Sequence, residues 1–406
     1  MQSSLKRLSK CGISLFYIYV LWFKEVWGDN TILLYGTVFL ATFCVLLDMV
    51  SAKKPFSECV NIFIWVLLGY GLYSLLAGSL ISKDFDWMLS SVITFFCFTI
   101  VCLDVSYISY AEQDIKWLMN LLMLVSVLCA FQTTFFGKPY DNGIIVTTMS
   151  SHNNPNNLAL VLLVGIYSTL YCEERIQKHN VFNMLLSLWF IYVIAICGSR
   201  KCMLAGGVLL VYRFITFFKA EKKMSAKKMA LIFVAALFLL ATIYYVLQVY
   251  VNTDQFKRFS SLFEENGEVK RVTLYKDAIT FWKNSPIFGI GYGQYQIFSR
   301  YHGYSHSTYA EILSCGGIIG CMIFFIPLLK RFFGNVMVCL RKNYCSAYNF
   351  KTMLIMFCIE LFLGIGQIFI YNMLHLTMLL VIFMLPEIMN NSFGVKTEST
   401  EVVSYE

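Results

Sequence analysis

The sequence is a succession of apolar runs punctuated by short charged clusters. Most runs approach the ~20 residues that an α-helix needs to cross the hydrocarbon of a bilayer. Inside a bilayer the backbone must satisfy its own hydrogen bonds, which restricts a spanning chain to helices or a closed barrel. Barrel strands alternate apolar and polar residues over about ten positions, and these runs do not alternate. The pattern therefore predicts an all-α, polytopic membrane protein. At 58% hydrophobic and 14% charged residues, the chain departs from soluble domains, which carry about 25% charged residues.

Twelve spans are expected, near residues 12–27, 31–49, 59–81, 87–108, 115–136, 157–172, 180–198, 202–218, 229–251, 307–329, 349–370 and 372–390. Lys6, Arg7 and Lys10 precede the first run, and no small-residue cleavage site follows it, so it reads as a retained helix rather than a signal peptide. Bases then mark alternate connections: Lys53 and Lys54, Lys116, Arg175 and Lys178, the cluster from Lys219 through Lys222, Lys223 and Lys227 to Lys228, then Lys330, Arg331, Arg341 and Lys342. The positive-inside rule assigns these connections and both termini to the cytoplasm. On this reading the net charge of +8 is a topology signal, not a nucleic-acid footprint.

Residues 1–406 then form one membrane domain with two outer loops of note. The loop at 137–156 is rich in Asn, Ser, Thr and His, and the loop at 252–306 far exceeds ordinary connections. Loops of that length usually carry function. It has no counterpart in the first half, and no internal repeat relates the halves, which argues against an inverted-repeat transporter. Most of the 14 cysteines fall inside apolar runs, without a CxxC pair or a zinc-like Cys/His spacing, and read as small core residues; no metal site is expected.

Candidate chemistry gathers on the outer side. Arg200 closes the run WFIYVIAICGS, with Lys201 beside it, where the topology rule disfavours bases. It is either a snorkelling anchor or a planar fork for phosphate oxygens. Lys270 and Arg271 open the segment KRVTLYKDAITFWKN, in which Val272, Tyr275, Ile279 and Trp282 recur at helical spacing. That spacing predicts an amphipathic helix on the outer face, with Arg271 either a solvated charge or a second cation.

The glycines of PIFGIGYG, residues 286–293, suit a tight turn or close approach of the backbone to a ligand; without a βαβ unit they are no dinucleotide fingerprint. His302 and His306 follow in YHGYSHSTY, at the lip of the glycine-rich run EILSCGGIIGCMIFF, and read as surface histidines or as general bases. Glu311 lies one turn inside the membrane edge, where an ionisable group is a functional candidate. The stretch SHNNPNN, residues 151–157, offers helix caps or, through Asn154 and Asn156, hydrogen bonds to sugar. Glu360, Gln367 and His375 read as interhelical polar contacts or a proton path.

Taken in order, NNPNNLA (153–159), the GSR turn (198–200), Arg271 before a helix, PIFGIGYGQY (286–295), HSTYAEIL (306–313) and Gly316/Gly317 resemble the O-antigen ligase and O-antigen polymerase superfamily of bacterial envelope polysaccharide enzymes, over roughly residues 150–325. The resemblance implies a C-type glycosyltransferase-like helical fold with its site facing the periplasm or cell exterior. It implies an undecaprenyl-pyrophosphate-linked oligosaccharide as donor, no cofactor or metal, and membrane lipid, flippase and chain-length regulator proteins as partners.

The family's functional positions map onto Arg200, Arg271 and His306 as catalytic residues. Lys201, Lys270, Asn154, Asn156, Tyr292, His302, Tyr309 and Glu311 are then the expected substrate-binding residues. The chain departs from the family pattern at Lys201, where a small residue often follows the arginine, and at Ser307, where Asn is common. The expected function is an O-antigen or capsule polysaccharide polymerase. The alternatives are a ligase that transfers the glycan to lipid A core, and a lipid-linked oligosaccharide flippase or other transporter.

Overall fold

The computed structural model describes residues 2–24, 30–53, 60–112, 114–140, 144–146, 155–176, 180–220, 269–341 and 348–401. The expected span at 229–251, residues 252–268 of the long loop, Asn154, and the lysines at 222, 223, 227 and 228 lie outside the described residues. The described chain is overwhelmingly helical. Helix α1 (Gln2–Ile18) runs into a π-helical turn (Tyr19–Phe23), followed by α2 (Thr31–Ala52), α3 (Ile62–Ile81), α4 (Phe85–Glu112) and α5 (Lys116–Phe136). A short antiparallel ribbon pairs β1 (Lys138–Tyr140) with β2 (Ile144–Val146), matching Lys138 to Val146. Then come α6 (Pro155–Ile176), α7 (Val181–Ile196), α8 (Arg200–Ala220), α9 (Val269–Asn284), α10 (Gln294–Phe298), α11 (Thr308–Arg341), α12 (Tyr348–Leu363) and α13 (Met373–Glu401).

Every expected span except 229–251 falls on a described helix, but six of these helices are long and apolar enough to cross a membrane: Thr31–Ala52, Ile62–Ile81, Phe85–Glu112, Lys116–Phe136, Pro155–Glu173 and Thr308–Met337. Val181–Ile196 and Met373–Pro386 are apolar but shorter. Of the other expected spans, helix α1 opens on the polar stretch QSSLKRLSK and α12 has 16 residues, while the described side chains of the 21-residue α8 stop at residue 216.

The chain divides into two compact units. The first comprises Met1–Phe16, Ile32–Ile115 and Val269–Glu406. Here α3 packs on α4 and α11, and α13 packs on α3, α4 and α12. Tyr70 of α3 lies edge-on to Phe95, Tyr292 and Phe324, with ring centroids 5.9, 6.1 and 5.4 Å away; each such pair adds about 0.5–1.5 kcal/mol beyond simple burial. Polar ties join the helices at intervals: Ser9 Oγ donates to Cys44 O at 2.9 Å, and Thr42 Oγ1 donates to the buried Asp104 Oδ2 at 2.9 Å. Asn61 begins α3 as its N-cap, its Oδ1 accepting from Ile64 N at 3.0 Å. Asn61→Ala removes that acceptor and is expected to cost about 1 kcal/mol, read as a lowered midpoint in thermal unfolding in detergent.

The second unit comprises Tyr17–Thr31 and Lys116–Glu268. Helix α6 is its centre, packed on α5, α7 and α8. At Gly165 of α6 a β-carbon would overlap Ser126 and Phe190, so glycine is what lets α5 and α6 close up; Ser126 Oγ donates across that contact to Val161 O at 2.8 Å. Glu173 on α6 and Arg213 on α8 form a buried ion pair. Arg213 also donates to Thr169 Oγ1 at 2.9 Å and to Ser187 Oγ on α7, so three helices share one guanidinium. Two charges buried among apolar helices are tolerated only in such company.

Candidate active site

The best-defined candidate site lies in the first unit and begins with an interrupted helix. In a continuous α11, Ile318 N and Ile319 N would donate to Ser314 O and Cys315 O. Gly317, at φ 62 and ψ −163, breaks that ladder. The freed groups pair instead with the segment 286–291: Ile318 N donates to Pro286 O (2.9 Å), Ile319 N to Ile287 O (3.2 Å), Ile290 N to Ser314 O (2.9 Å) and Gly291 N to Cys315 O (3.0 Å). Tyr73 Oη donates to Gly316 O at 2.7 Å. The loop is thus wedged into the helix and exchanges hydrogen bonds with it one for one, as buried backbone requires.

The glycine pattern follows directly. A β-carbon on Gly289 would overlap the Cys315 carbonyl, and one on Gly317 would overlap Ile287 O. The close approach that these glycines allow is to the backbone of α11, not to a ligand. The far end of the loop is held to the start of α4, where Gln294 Nε2 donates to Asp84 O (2.8 Å) and Trp87 Nε1 to Gly293 O (3.1 Å).

The histidine-bearing turn follows α10 and is fixed at four places. Ser299 Oγ donates to Gly303 O at 2.8 Å and accepts from Gly303 N at 3.1 Å. Asp277 of α9 takes Arg300 N on Oδ2 (3.2 Å) and Arg300 Nε on Oδ1 (3.0 Å). Ser305 N donates to Glu311 Oε2 at 3.0 Å. Thr308, which starts α11, donates through N to Gly364 O (2.8 Å) and through Oγ1 to Gln367 O (2.8 Å). Between these anchors His302 and His306 adopt left-handed backbone, φ 46 and φ 57, with exposed side chains. Non-glycine residues rarely sit there, and a surrounding structure must hold them.

Beneath the turn, Glu311 is fully buried. Its Oε1 accepts from Tyr371 Oη at 3.2 Å, so both oxygens are engaged by protein. Tyr371 packs between Tyr292 (5.4 Å) and Tyr304 (5.3 Å). Burial holds the Tyr292 and Tyr371 phenols well above their usual range, so both remain neutral donors. Tyr292 Oη donates to Ile370 O at 3.3 Å, and Tyr309 Oη to Leu361 O at 2.8 Å. The last two helices meet through a buried cluster in which His375 Nδ1 lies 2.6 Å from Glu360 Oε2 and Nε2 lies 2.7 Å from Gln367 Oε1. This is the interhelical polar contact expected of these residues, and Gln367 also accepts from Thr308 through its backbone carbonyl.

Helix α9 presents Leu274, Asp277 and Ala278 to the core, with Phe281 packed on the same cluster beside Tyr295 and Cys315. Val272 and Ile279, from the expected apolar stripe, are exposed. Lys270 and Arg271 lie in the first turn of α9, and their side chains fall outside the described residues.

In the second unit, Arg200 begins α8 after a turn in which Gly198 has φ 71. Arg200 and Lys201 are both partly buried. Ser199 Oγ donates to Asn156 Oδ1 at 2.9 Å, tying the start of α6 to the GSR turn. The positive end of the α8 dipole reinforces the two bases, an arrangement that favours anions. Among the expected residues, His302, His306, Tyr292, Tyr309 and Glu311 gather around the turn of the first unit, while Arg200, Lys201 and Asn156 gather in the second.

Sequence reasoning missed Asp277, Arg300, Ser305 and Tyr371. A lone acid within the lysine-rich KRVTLYKDAITFWKN was the one available signal, for Asp277. The segment containing the GSR turn, α9, the wedged loop and the His306 turn also has a counterpart among known proteins. Residues 185–325 match the family described as O-antigen ligase. No curated protein sequence matches the chain. Broken helix, wedged glycine loop and histidine turn all fall within the segment that matches the O-antigen ligase family model, which is consistent with the O-antigen ligase and polymerase superfamily.

Proposed function

We propose that this multi-pass membrane protein is an envelope polysaccharide polymerase with a C-type glycosyltransferase-like fold. It transfers an undecaprenyl-pyrophosphate-linked repeat unit onto an acceptor glycan at the outer leaflet, without metal or cofactor. The observation that carries the reading is His306: an exposed imidazole on a left-handed residue, in a turn anchored by Glu311 and Thr308, inside the matched family segment.

In the proposed reaction an acceptor sugar hydroxyl attacks the anomeric carbon of the donor. Its proton passes to His306, the bond from that carbon to the phosphate oxygen breaks, and the electron pair leaves with the diphosphate. Arg200 and Arg271 neutralise the charge growing there and so favour the transition state over the bound donor. Attack opposite the leaving group inverts the anomeric centre. Glu311 is a positioning residue, because its oxygens are spent on Ser305 and Tyr371. Lys201, Lys270, Asn154, Asn156, His302, Tyr292 and Tyr309 are the further substrate-binding residues of this proposal. Flippase and chain-length regulator proteins are the partners such a reaction calls for.

A ligase runs the same chemistry with lipid A core as acceptor, and the family match supports the two equally. A flippase would draw on the buried ionisable groups of the helices, among them Glu173, Arg213, Glu360 and His375, but these pair with one another. The separating experiment supplies purified protein in proteoliposomes with the lipid-linked repeat unit, alone or with lipid A core. A ladder from donor alone identifies the polymerase, and a product confined to lipid A core identifies the ligase. Movement of donor across the bilayer without any new glycosidic bond would overturn both.

Glu311→Gln replaces one acceptor oxygen by a donor that faces Ser305 N or Tyr371 Oη. Turnover is expected to fall about tenfold, the loss of one hydrogen bond to a charged group, with the donor KM unchanged. A rise in KM instead would place Glu311 against the substrate.

A further inference from the structure

We propose that Arg300 is a pre-oriented phosphate-binding residue that grips the diphosphate of the lipid-linked donor. The proposal rests on the transfer reading above. Asp277 is a buried carboxylate, its side chain 6% exposed, and such a group is tolerated only when its charge is met. It gives both oxygens to one residue, Oδ2 to Arg300 N at 3.2 Å and Oδ1 to Arg300 Nε at 3.0 Å. The Arg300 side chain is nevertheless 70% exposed.

A clamp between α9 and the turn would need only the backbone amide, which any residue but proline provides. The guanidinium adds a fixed direction. With Nε held by Asp277, the terminal nitrogens of the planar fork keep donors for an incoming oxyanion, in the paired geometry that phosphate accepts. An unrestrained surface arginine would lose rotamer freedom on binding, and this one has already lost it. The turn that carries it also carries His302 two residues on and His306 six residues on, and it is pinned at Ser299 and Ser305. A cation and the proposed base therefore sit on one braced segment. Asp277 itself is held by the core-facing side of α9, beside Leu274 and Ala278.

The ligand chemistry is a phosphate oxyanion, which could come from the donor diphosphate or from an anionic phospholipid headgroup. The test measures donor KM, turnover, and inhibition by undecaprenyl pyrophosphate, undecaprenyl phosphate and phosphatidylglycerol in neutral detergent, for wild type, Arg300→Ala, Arg300→Gln and Arg300→Lys.

Arg300→Ala and Arg300→Gln are expected to raise the donor KM and the undecaprenyl pyrophosphate inhibition constant about tenfold or more, as loss of a charge-assisted contact does. Turnover stays within about threefold of wild type on the same reasoning, and Arg300→Lys recovers part of the affinity. Undecaprenyl phosphate should inhibit more weakly and lose less on substitution, and phosphatidylglycerol should not compete. An unchanged KM in a folded Arg300→Gln protein overturns the proposal, as does a fall in turnover that tracks thermal stability. Competition by phosphatidylglycerol equal to that of the diphosphate reassigns the residue to a lipid headgroup. Wild type that elongates glycans but ignores undecaprenyl pyrophosphate sinks the Arg300 proposal alone, whereas wild type that makes no product with donor and acceptor sinks the transfer reading beneath it.

Discussion

His306→Ala is expected to reduce glycan transfer by about 10²–10⁴-fold, the contribution of a positioned general base, with donor affinity retained. Steady-state rates with purified protein and defined acceptor check it. The histidine is exposed and occupies left-handed backbone at φ 57, a conformation that costs a side-chain-bearing residue about 1 kcal/mol. That conformation is maintained by bonds around it, from Ser305 to Glu311 and from Thr308 to Gly364 and Gln367. His306→Gly relieves the backbone cost and should therefore be as inactive as His306→Ala while no less stable than wild type. A residue kept for the fold would behave in the opposite way, its loss lowering stability and sparing the rate. His302, a substrate-binding residue of the same proposal whose Nδ1 lies 3.0 Å from Ile297 O within the turn, is the comparison: His302→Ala should lower turnover far less than His306→Ala. Should His302→Ala abolish transfer and His306→Ala spare it, the two roles exchange.

Gly317→Ala is expected to destabilise the protein by about 2–6 kcal/mol, the sum of backbone strain and overpacking. Its φ of 62 and ψ of −163 belong to a region that is essentially reserved for glycine. The added methyl would also overlap Ile287 O, whose hydrogen bond with Ile319 N holds the loop in the helix break. Neither neighbour can step aside, because both are backbone atoms paired on each side of the contact. Gly334, further along α11, has open space around its Cβ position, so Gly334→Ala should be neutral or mildly stabilising by comparison. Unfolding of the two variants in the same detergent decides the matter; equal stability would mean that the loop does not depend on the break.

Much of the architecture is written locally and could be read from residues alone. Among the described residues the apolar runs fall on helices, since hydrophobic length is a property of one segment. The glycines of 286–293 announced a tight turn or a close approach of the backbone to a ligand. That the loop and the Gly317 break approach each other, exchanging hydrogen bonds across a broken helix, depends on pairing between residues 24 to 32 positions apart, which spacing does not encode. The same limit hid Asp277 with Arg300, Glu311 with Tyr371, and Glu173 with Arg213, each pair joining separate elements. Glu360 and His375 were legible as interhelical contacts because a polar group inside an apolar run must find a partner. Six of the twelve expected spans are, among the described residues, long and apolar enough to cross a membrane; hydropathy alone does not weigh the polar start of α1 or the shortness of α12.

The central claim is that the turn bearing His306 faces outward and is where the glycan is transferred. Tyr301, exposed on that turn, gives the most direct handle. A Tyr301→Cys variant in a cysteine-depleted background, treated in intact right-side-out vesicles with a membrane-impermeant maleimide, should label from the outside and lose glycan transfer as labelling proceeds. Labelling only after the vesicles are opened, or full labelling with undiminished transfer, would contradict the account.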